Sequence, residues 1–296
     1  MSSIQRIFLL YAPLRSGHHA FVDWMLSSRN LNVLHINNTD ESKSWLRTRY
    51  LARRPEYRIR SRNGPLPIEM DAGKQDVIAI MKDRAIDTLL LNFEDKTLLH
   101  IANSPLLSSL AQDFPESTVT SISFSRDPLN LLASRIVRST LIEKSRLGYK
   151  QASEVQSSSH GQRDLAKLIQ IMKASTREYC NQSMASHVYV DYYSWLVSQA
   201  ARELVEQSLG IESITPSRHA TIHGGGSSFG KVEAIDPIDQ FKRYEQLADI
   251  DVFKQVVIRM KRIAIRYYDK ISEYVDSSSC RDYLVNLDAE SMHSLP

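Results

Sequence analysis

Arg15, Ser16, Gly17, His18 and His19 place a guanidinium, a hydroxyl, a glycine and two imidazoles in one stretch directly after the apolar run 7–12. That run, ended by Pro13, reads as a buried strand, and the apolar positions Phe21, Val22, Trp24 and Met25 that follow have helical spacing. A glycine at a strand-to-helix turn lets the backbone approach a ligand closely. Successive N–H groups and the positive end of the helix then form a cradle for phosphate, to which Arg15 adds a full charge. The same residues also suit a plain strand–turn–helix connection. The stretch lacks the first glycine and the Lys–Ser/Thr end of an ATP-hydrolysing loop, so an ordinary ATPase is not expected.

A second set follows another expected strand, 119–124: Ser125, Arg126, Asp127 and Pro128, with Ser134 and Arg138 four residues apart on the helix beyond. Two guanidinium groups and a hydroxyl converging on one point would suit a dianionic phosphate. The alternative is a surface arginine pair with Asp127 as a helix cap.

These residues need a frame. Further strands are expected at 32–36, 88–93, 98–102 and 188–190. Helices are expected from Gly17 to the break at Ser27, over 106–113 behind Ser104 and Pro105, from Pro128 through Leu141, over 162–179, over 198–209 with Gly210 as stop, and finally near 237–247 and 252–274. Strands alternating with helices predict an α/β fold of three layers, a central mostly parallel sheet with helices on both faces. Ligands of such sheets bind beyond the carboxyl ends of the strands, where both sets of residues lie. The 296 residues carry no repeat and no credible linker, so one domain spanning 1–296 is expected, with a long loop at 212–233 around Gly224–Gly225–Gly226.

The net charge is +3, with 42% hydrophobic and 24% charged residues, which excludes a polybasic tail protein and an acidic disordered one. Charge is uneven locally. Seven arginines stand between Arg47 and Arg62 against Glu56 alone, within a basic insertion at about 43–75. With Tyr50 and Tyr57 as stacking groups this island would suit an anionic substrate or a nucleic acid, or it is a solvated loop or helix face. The two cysteines, Cys180 and Cys280, have neither zinc nor disulfide spacing, which points to a reducing compartment. No apolar stretch is long enough for a membrane span or a signal region, and a cytoplasmic protein is expected.

Taken in order, these pieces resemble the sulfotransferase family, which uses 3′-phosphoadenosine 5′-phosphosulfate (PAPS). Arg15–Ser16–Gly17–His18–His19 is similar to that family's 5′-phosphosulfate loop, with histidines in place of its two hydroxyl residues. Arg126 with Ser134 eight residues on resembles its 3′-phosphate motif, and Arg138 matches the further arginine of the tyrosylprotein branch. The segment 190–196 resembles the family's late tyrosine motif, which implies a nucleotide contact for Tyr192. The segment 226–231, with Ser227, Ser228, Gly230 and Lys231, resembles the loop that closes over the cofactor.

The resemblance implies a sulfotransferase fold related to P-loop kinases, with Arg15 assisting transfer. It implies PAPS as co-substrate and adenosine 3′,5′-bisphosphate as product. The acceptor would be a hydroxyl or amine of a small molecule such as a phenol, an alcohol or a natural-product intermediate. No metal, nucleic acid or membrane partner is expected. The family's Lys-Thr-His base motif has no counterpart, so His19, Glu94, His100 and Glu41 stand as candidate bases, with Glu94 and His19 ranked first because both follow strands. A P-loop-like small-molecule kinase and a non-catalytic binder of a nucleotide or anionic polymer remain as alternatives.

Overall fold

The computed structural model of the chain describes residues 4–37, 39, 45, 59–66, 74–96, 104–138, 159–182, 187–212 and 242–291. Beyond its first residue, strand β1 (Arg6–Ala12) is buried and apolar or aromatic because it is covered on both sides. Phe8, Leu10 and Ala12 project into one core cluster, and Ile7, Leu9 and Tyr11 into a second. This is the two-residue alternation of a strand buried on both faces of a parallel sheet.

The sheet has seven strands in the order β4-β3-β2-β5-β1-β6-β7, formed by β2 (Val33–Ile36), β3 (Ile59–Ser61), β4 (Gly64–Pro65), β5 (Thr88–Glu94), β6 (Thr118–Ser125) and β7 (His187–Asp191). Strands β2, β5, β1, β6 and β7 run parallel; β3 and β4 add an antiparallel edge. Seven helices share the first core: α1 (His18–Leu26), α4 (Pro128–Arg138), α5 (Ser159–Asn181), α6 (Tyr192–Val197), α7 (Gln199–Leu209), α8 (Asp251–Ile271) and α9 (Ser278–Ser291). The second core is closed by α2 (Lys74–Asp83) and α3 (Pro105–Asp113). The expected three-layer α/β architecture is therefore the observed one.

Local signals set several boundaries. The Ser104 hydroxyl accepts from Leu106 N at 3.1 Å with Pro105 in the first helical position of α3. Ser198 caps α7, and Gly210, at φ 61°, ends it with Ile211 N donating to the Glu206 carbonyl at 3.0 Å.

Other expectations change. Part of the basic segment is sheet edge rather than insertion: Arg60 pairs with His35 of β2, and its side chain is 3% exposed against Asp23 of α1 at 2.7 Å. Of the two closing helices expected, the one at 252–274 is α8, and the other is not observed as a helix of that length. Only a 3₁₀ turn (Arg243–Leu247) is described in the first of those places, and α9 follows α8. Helices α2 and α6 were not expected. The strand expected at 98–102, the loop at 212–233 beyond its first residue, and most of the arginine island lie outside the described residues. No helix among the described residues is long and apolar enough to cross a membrane.

At the carboxyl ends of β6 and β7 stand two buried carboxyls, Asp127 and Asp191. Asp127 accepts from Asn130 N at 2.9 Å and from the Tyr268 hydroxyl at 2.9 Å. Asp191 caps α6 through Ser194 N at 2.7 Å and accepts from the Tyr267 hydroxyl. Burial pushes the Asp191 carboxyl up from 3.8 to about 6. Between those values the native state holds a proton that the unfolded chain has lost, so this group's contribution to stability grows as pH falls from about 6 to about 4. The wild-type chain should therefore gain on Asp191→Asn over that window, by about 3 kcal/mol at most, in urea midpoints measured at each pH. A wild-type-minus-variant difference that instead rises with pH would mean that Asp191 is a stabilised anion in the fold.

Candidate active site

Strands β1 and β6 are neighbours, yet the chain leaves β1 toward β2 on one side and leaves β6 toward β7 on the other. That divergence is a topological switch point, where loops part and leave a crevice. The Arg15 loop follows β1 and Arg126 follows β6, so both stand at this crevice. They are directly joined: Arg126 donates through Nη1 to the Arg15 carbonyl at 3.0 Å and through Nη2 to the Tyr193 hydroxyl at 3.2 Å. Its guanidinium lies 5.4 Å from the Tyr192 ring centroid.

The loop is tightly built. Arg15 and Gly17 both have positive φ, 72° and 89°. A Cβ on Gly17 would come within 2.6 Å of Cε2 in the Tyr192 ring, so only glycine fits where the loop approaches the later tyrosine segment. Gly17 precedes α1 without a side-chain cap, and the first-turn N–H groups of His18 and His19 have no carbonyl within the helix to donate to. The loop is also braced from beyond β5. Asp95 accepts from Leu14 N at 2.8 Å and receives both terminal nitrogens of Arg135, the shortest contact being 2.8 Å. Arg135 also donates to the Leu14 carbonyl at 3.2 Å.

Positive charge gathers beside Arg126. Arg243, at the start of the 3₁₀ turn, has its pKa lowered by burial and by the Arg126 charge. The turn is pinned next to it, Tyr244 N donating to Asn130 Oδ1 at 2.9 Å. The Arg126 Nε has no hydrogen-bond partner among the described residues and lies 3.9 Å from Asp127 Oδ2. Burial pushes the Asp127 carboxyl up, while the Arg126 charge and the bonds from Asn130 and Tyr268 act against that rise. Two guanidinium groups near one another are an arrangement suited to holding an anion.

A second polar group lies across the loop, under α1. Register puts Ala12 opposite Glu94 and His35 opposite Leu90, so His35, Asn92 and Glu94 share the sheet face that α1 covers. The Glu94 Oε1 lies 3.3 Å from His18 Nε2 and 3.7 Å from His19 Nε2. The two imidazoles have ring centroids 4.2 Å apart. Ser16 Oγ is 3.2 Å from His18 Nδ1. Burial first, and the neighbouring His18 next, lower the His19 pKa to about 4, so it is neutral at pH 7. Burial alone would raise the Glu94 pKa, but contacts with His18 and His19 hold its carboxyl well below the usual range. The result is an ionised, largely desolvated carboxylate flanked by imidazole nitrogens, a group that can share a proton from a bound hydroxyl among its members, since so acidic a carboxyl is a weak base by itself.

The sequence-predicted residues are thus distributed as follows. Arg15, Ser16, Gly17, His18, His19, Glu94, Arg126 and Tyr192 come together around the ends of β1, β5 and β6. Ser134 is buried on α4, and the side chain of Arg138, the last residue of α4, lies outside the described part. Glu41, His100, Ser227, Ser228, Gly230 and Lys231 also lie outside the described residues. Sequence reasoning missed Asp95, Arg135 and Arg243. Arg135 stands between the two α4 residues that were singled out, and no spacing rule selects it.

No family model matches the sequence, and no curated protein matches it. Among solved structures, a sulfotransferase domain from the curacin biosynthetic pathway aligns over 87% of this chain and 98% of its own, at 12% identity and a TM-score of 0.41. A likeness that loose carries no argument about activity, and the functional reading rests on the site.

Proposed function

We propose that the protein is a PAPS-dependent sulfotransferase acting on a small-molecule hydroxyl or amine. One observation carries the reading: Arg126 bonds to the Arg15 carbonyl across the switch point with Arg243 beside it, so two anion-binding groups flank one crevice, and neither has a Walker lysine. Two separate phosphate sites without that lysine suit a nucleotide phosphorylated at both 3′ and 5′ positions better than ATP.

In this reading the Arg15 loop and the start of α1 hold the 5′-phosphosulfate, and Arg126 with Arg243 holds the 3′-phosphate. The acceptor oxygen or nitrogen attacks sulfur as the bond from sulfur to the bridging phosphate oxygen breaks, and adenosine 3′,5′-bisphosphate leaves. The acceptor's proton passes to the Glu94–His18–His19 group. Arg15 and the loop N–H groups stabilise charge developing on the departing phosphate, an electrostatic effect that dominates transfers of this kind.

Titration with adenosine 3′,5′-bisphosphate and with ATP tests the donor, and the bisphosphate is expected to bind at least tenfold more tightly. Tighter ATP binding would favour a kinase instead. A panel of phenols, alcohols and amines incubated with PAPS should then yield a product heavier by one sulfuryl group.

A further inference from the structure

We propose that His18, His19 and Glu94 form a binding site for a divalent transition-metal ion of the zinc class. The proposal goes beyond sulfuryl transfer and does not depend on it.

Three ligand atoms, one from each residue, lie within 4.8 Å of one another. Two edges of that triangle are measured, 3.3 Å from His18 Nε2 to Glu94 Oε1 and 3.7 Å from His19 Nε2 to the same oxygen. Zinc bonds of 2.0–2.1 Å in tetrahedral geometry put neighbouring ligand atoms about 3.3 Å apart. An ion therefore fits with small side-chain adjustments. Two imidazoles and one carboxylate also form the donor set that zinc and its neighbours in the first transition row take, leaving at least one position for solvent or another oxygen.

A second observation points to a missing partner. His18 is 1% exposed, and its Nε2, although 3.3 Å from the carboxylate oxygen, has no hydrogen-bond partner among the described residues. The contact distance is met, but the angle for an N–H donor is not. If His18 donates from Nδ1 to Ser16, its Nε2 lone pair points past the carboxylate oxygen, into the space where an ion bound to both groups would lie. The His19 Nδ1 is likewise buried without a partner. Ser16 on Nδ1 is the kind of outer contact that fixes the ring of a metal-bound histidine.

The charge around the cluster does not forbid an ion. Arg60 is the cation whose field reaches His19, and Asp23 neutralises it at 2.7 Å. Glu94 supplies a negative charge to the ion directly. The elements that hold the three ligands are rigid, because α1 and β5 are both packed into the first core.

Cobalt(II) is the probe, titrated into the chelator-treated full chain at neutral pH and followed by its visible absorption. The expected result is one equivalent showing the intense ligand-field bands of four- or five-coordinate cobalt, without the thiolate charge-transfer bands that Cys180 or Cys280 would give. Zinc should displace it. His18→Ala, His19→Ala and Glu94→Gln should each weaken the site at least tenfold, whereas His187→Ala, on the distant β7, should not.

Because Glu94→Gln could disturb folding, each variant's thermal melt is recorded, and the wild-type spectrum alone already decides coordination number. Weak six-coordinate spectra, thiolate bands, or equal affinity in all variants would overturn the proposal, leaving a hydrogen-bonded His–His–Glu group. An ion would occupy the lone pairs that the transfer reading uses for the acceptor proton. The two readings are nevertheless separable, since bisphosphate affinity tests one and the cobalt spectrum the other.

Discussion

Glu94→Gln should leave adenosine 3′,5′-bisphosphate affinity near wild type while lowering kcat for sulfuryl transfer about 10²–10⁴-fold, the range for losing a general base. The substitution keeps the shape of the side chain and its ability to accept from an imidazole N–H, but an amide cannot take a proton. The expected separation of binding from chemistry follows from placement. Glu94 ends β5 and faces α1, whereas the paired arginines lie beyond β6 on the other side of the Arg15 loop. His19→Ala should show a smaller loss, because Glu94 Oε1 is 3.3 Å from His18 and 3.7 Å from His19, and one imidazole remains. The measurement is a steady-state assay on any acceptor found in the panel, beside bisphosphate titration of the same preparation. A Glu94→Gln enzyme with normal kcat would move the base to His100 or Glu41, the candidates outside the described residues.

What the sequence showed of this molecule was its local chemistry. Strands β1 and β5 are legible as short apolar runs, β2, β6 and β7 through their β-branched and aromatic residues, and α3 and α7 because serine caps and Gly210 mark their ends. The hairpin β3–β4 was hidden by its arginines, although Asn63–Gly64 beside a two-residue loop is a hairpin signal that could have found it. At the site, the Arg15 loop, Arg126 and Tyr192 could be picked out as motifs. That Tyr192 packs on Gly17 could not, because the contact depends on how β7 is placed two strands from β1. The meeting of His18 with Glu94 likewise needs the register that sets Ala12 opposite Glu94. Asp95 and Arg135 were illegible for the same reason: their pairing closes a loop through three elements, and no spacing along the chain encodes it.

Arg243→Gln should weaken bisphosphate binding by about 2 kcal/mol or more, roughly 30-fold, with no loss of stability in the ligand-free protein. The binding effect is that of removing one partner from a desolvated charge pair. The stability effect has the opposite cause. Burial first and the Arg126 charge next lower the Arg243 pKa, so its charged form is held in the ligand-free protein at a cost that a neutral side chain does not carry. Arg126 itself would make a poorer test. The sequence alone predicts a ligand-binding role for it, but in the fold it also ties the Arg15 carbonyl to the Tyr193 hydroxyl and is 5% exposed. Its removal would take a charged hydrogen-bond donor from both groups at a cost of about 1.5–3 kcal/mol each, so Arg126→Ala should lose stability and affinity together. The two variants therefore separate an anion site from a structural strut. If Arg243→Gln binds the bisphosphate as tightly as wild type, the second phosphate is held elsewhere. If it destabilises the free protein, Arg243 braces the fold and that cost is already compensated.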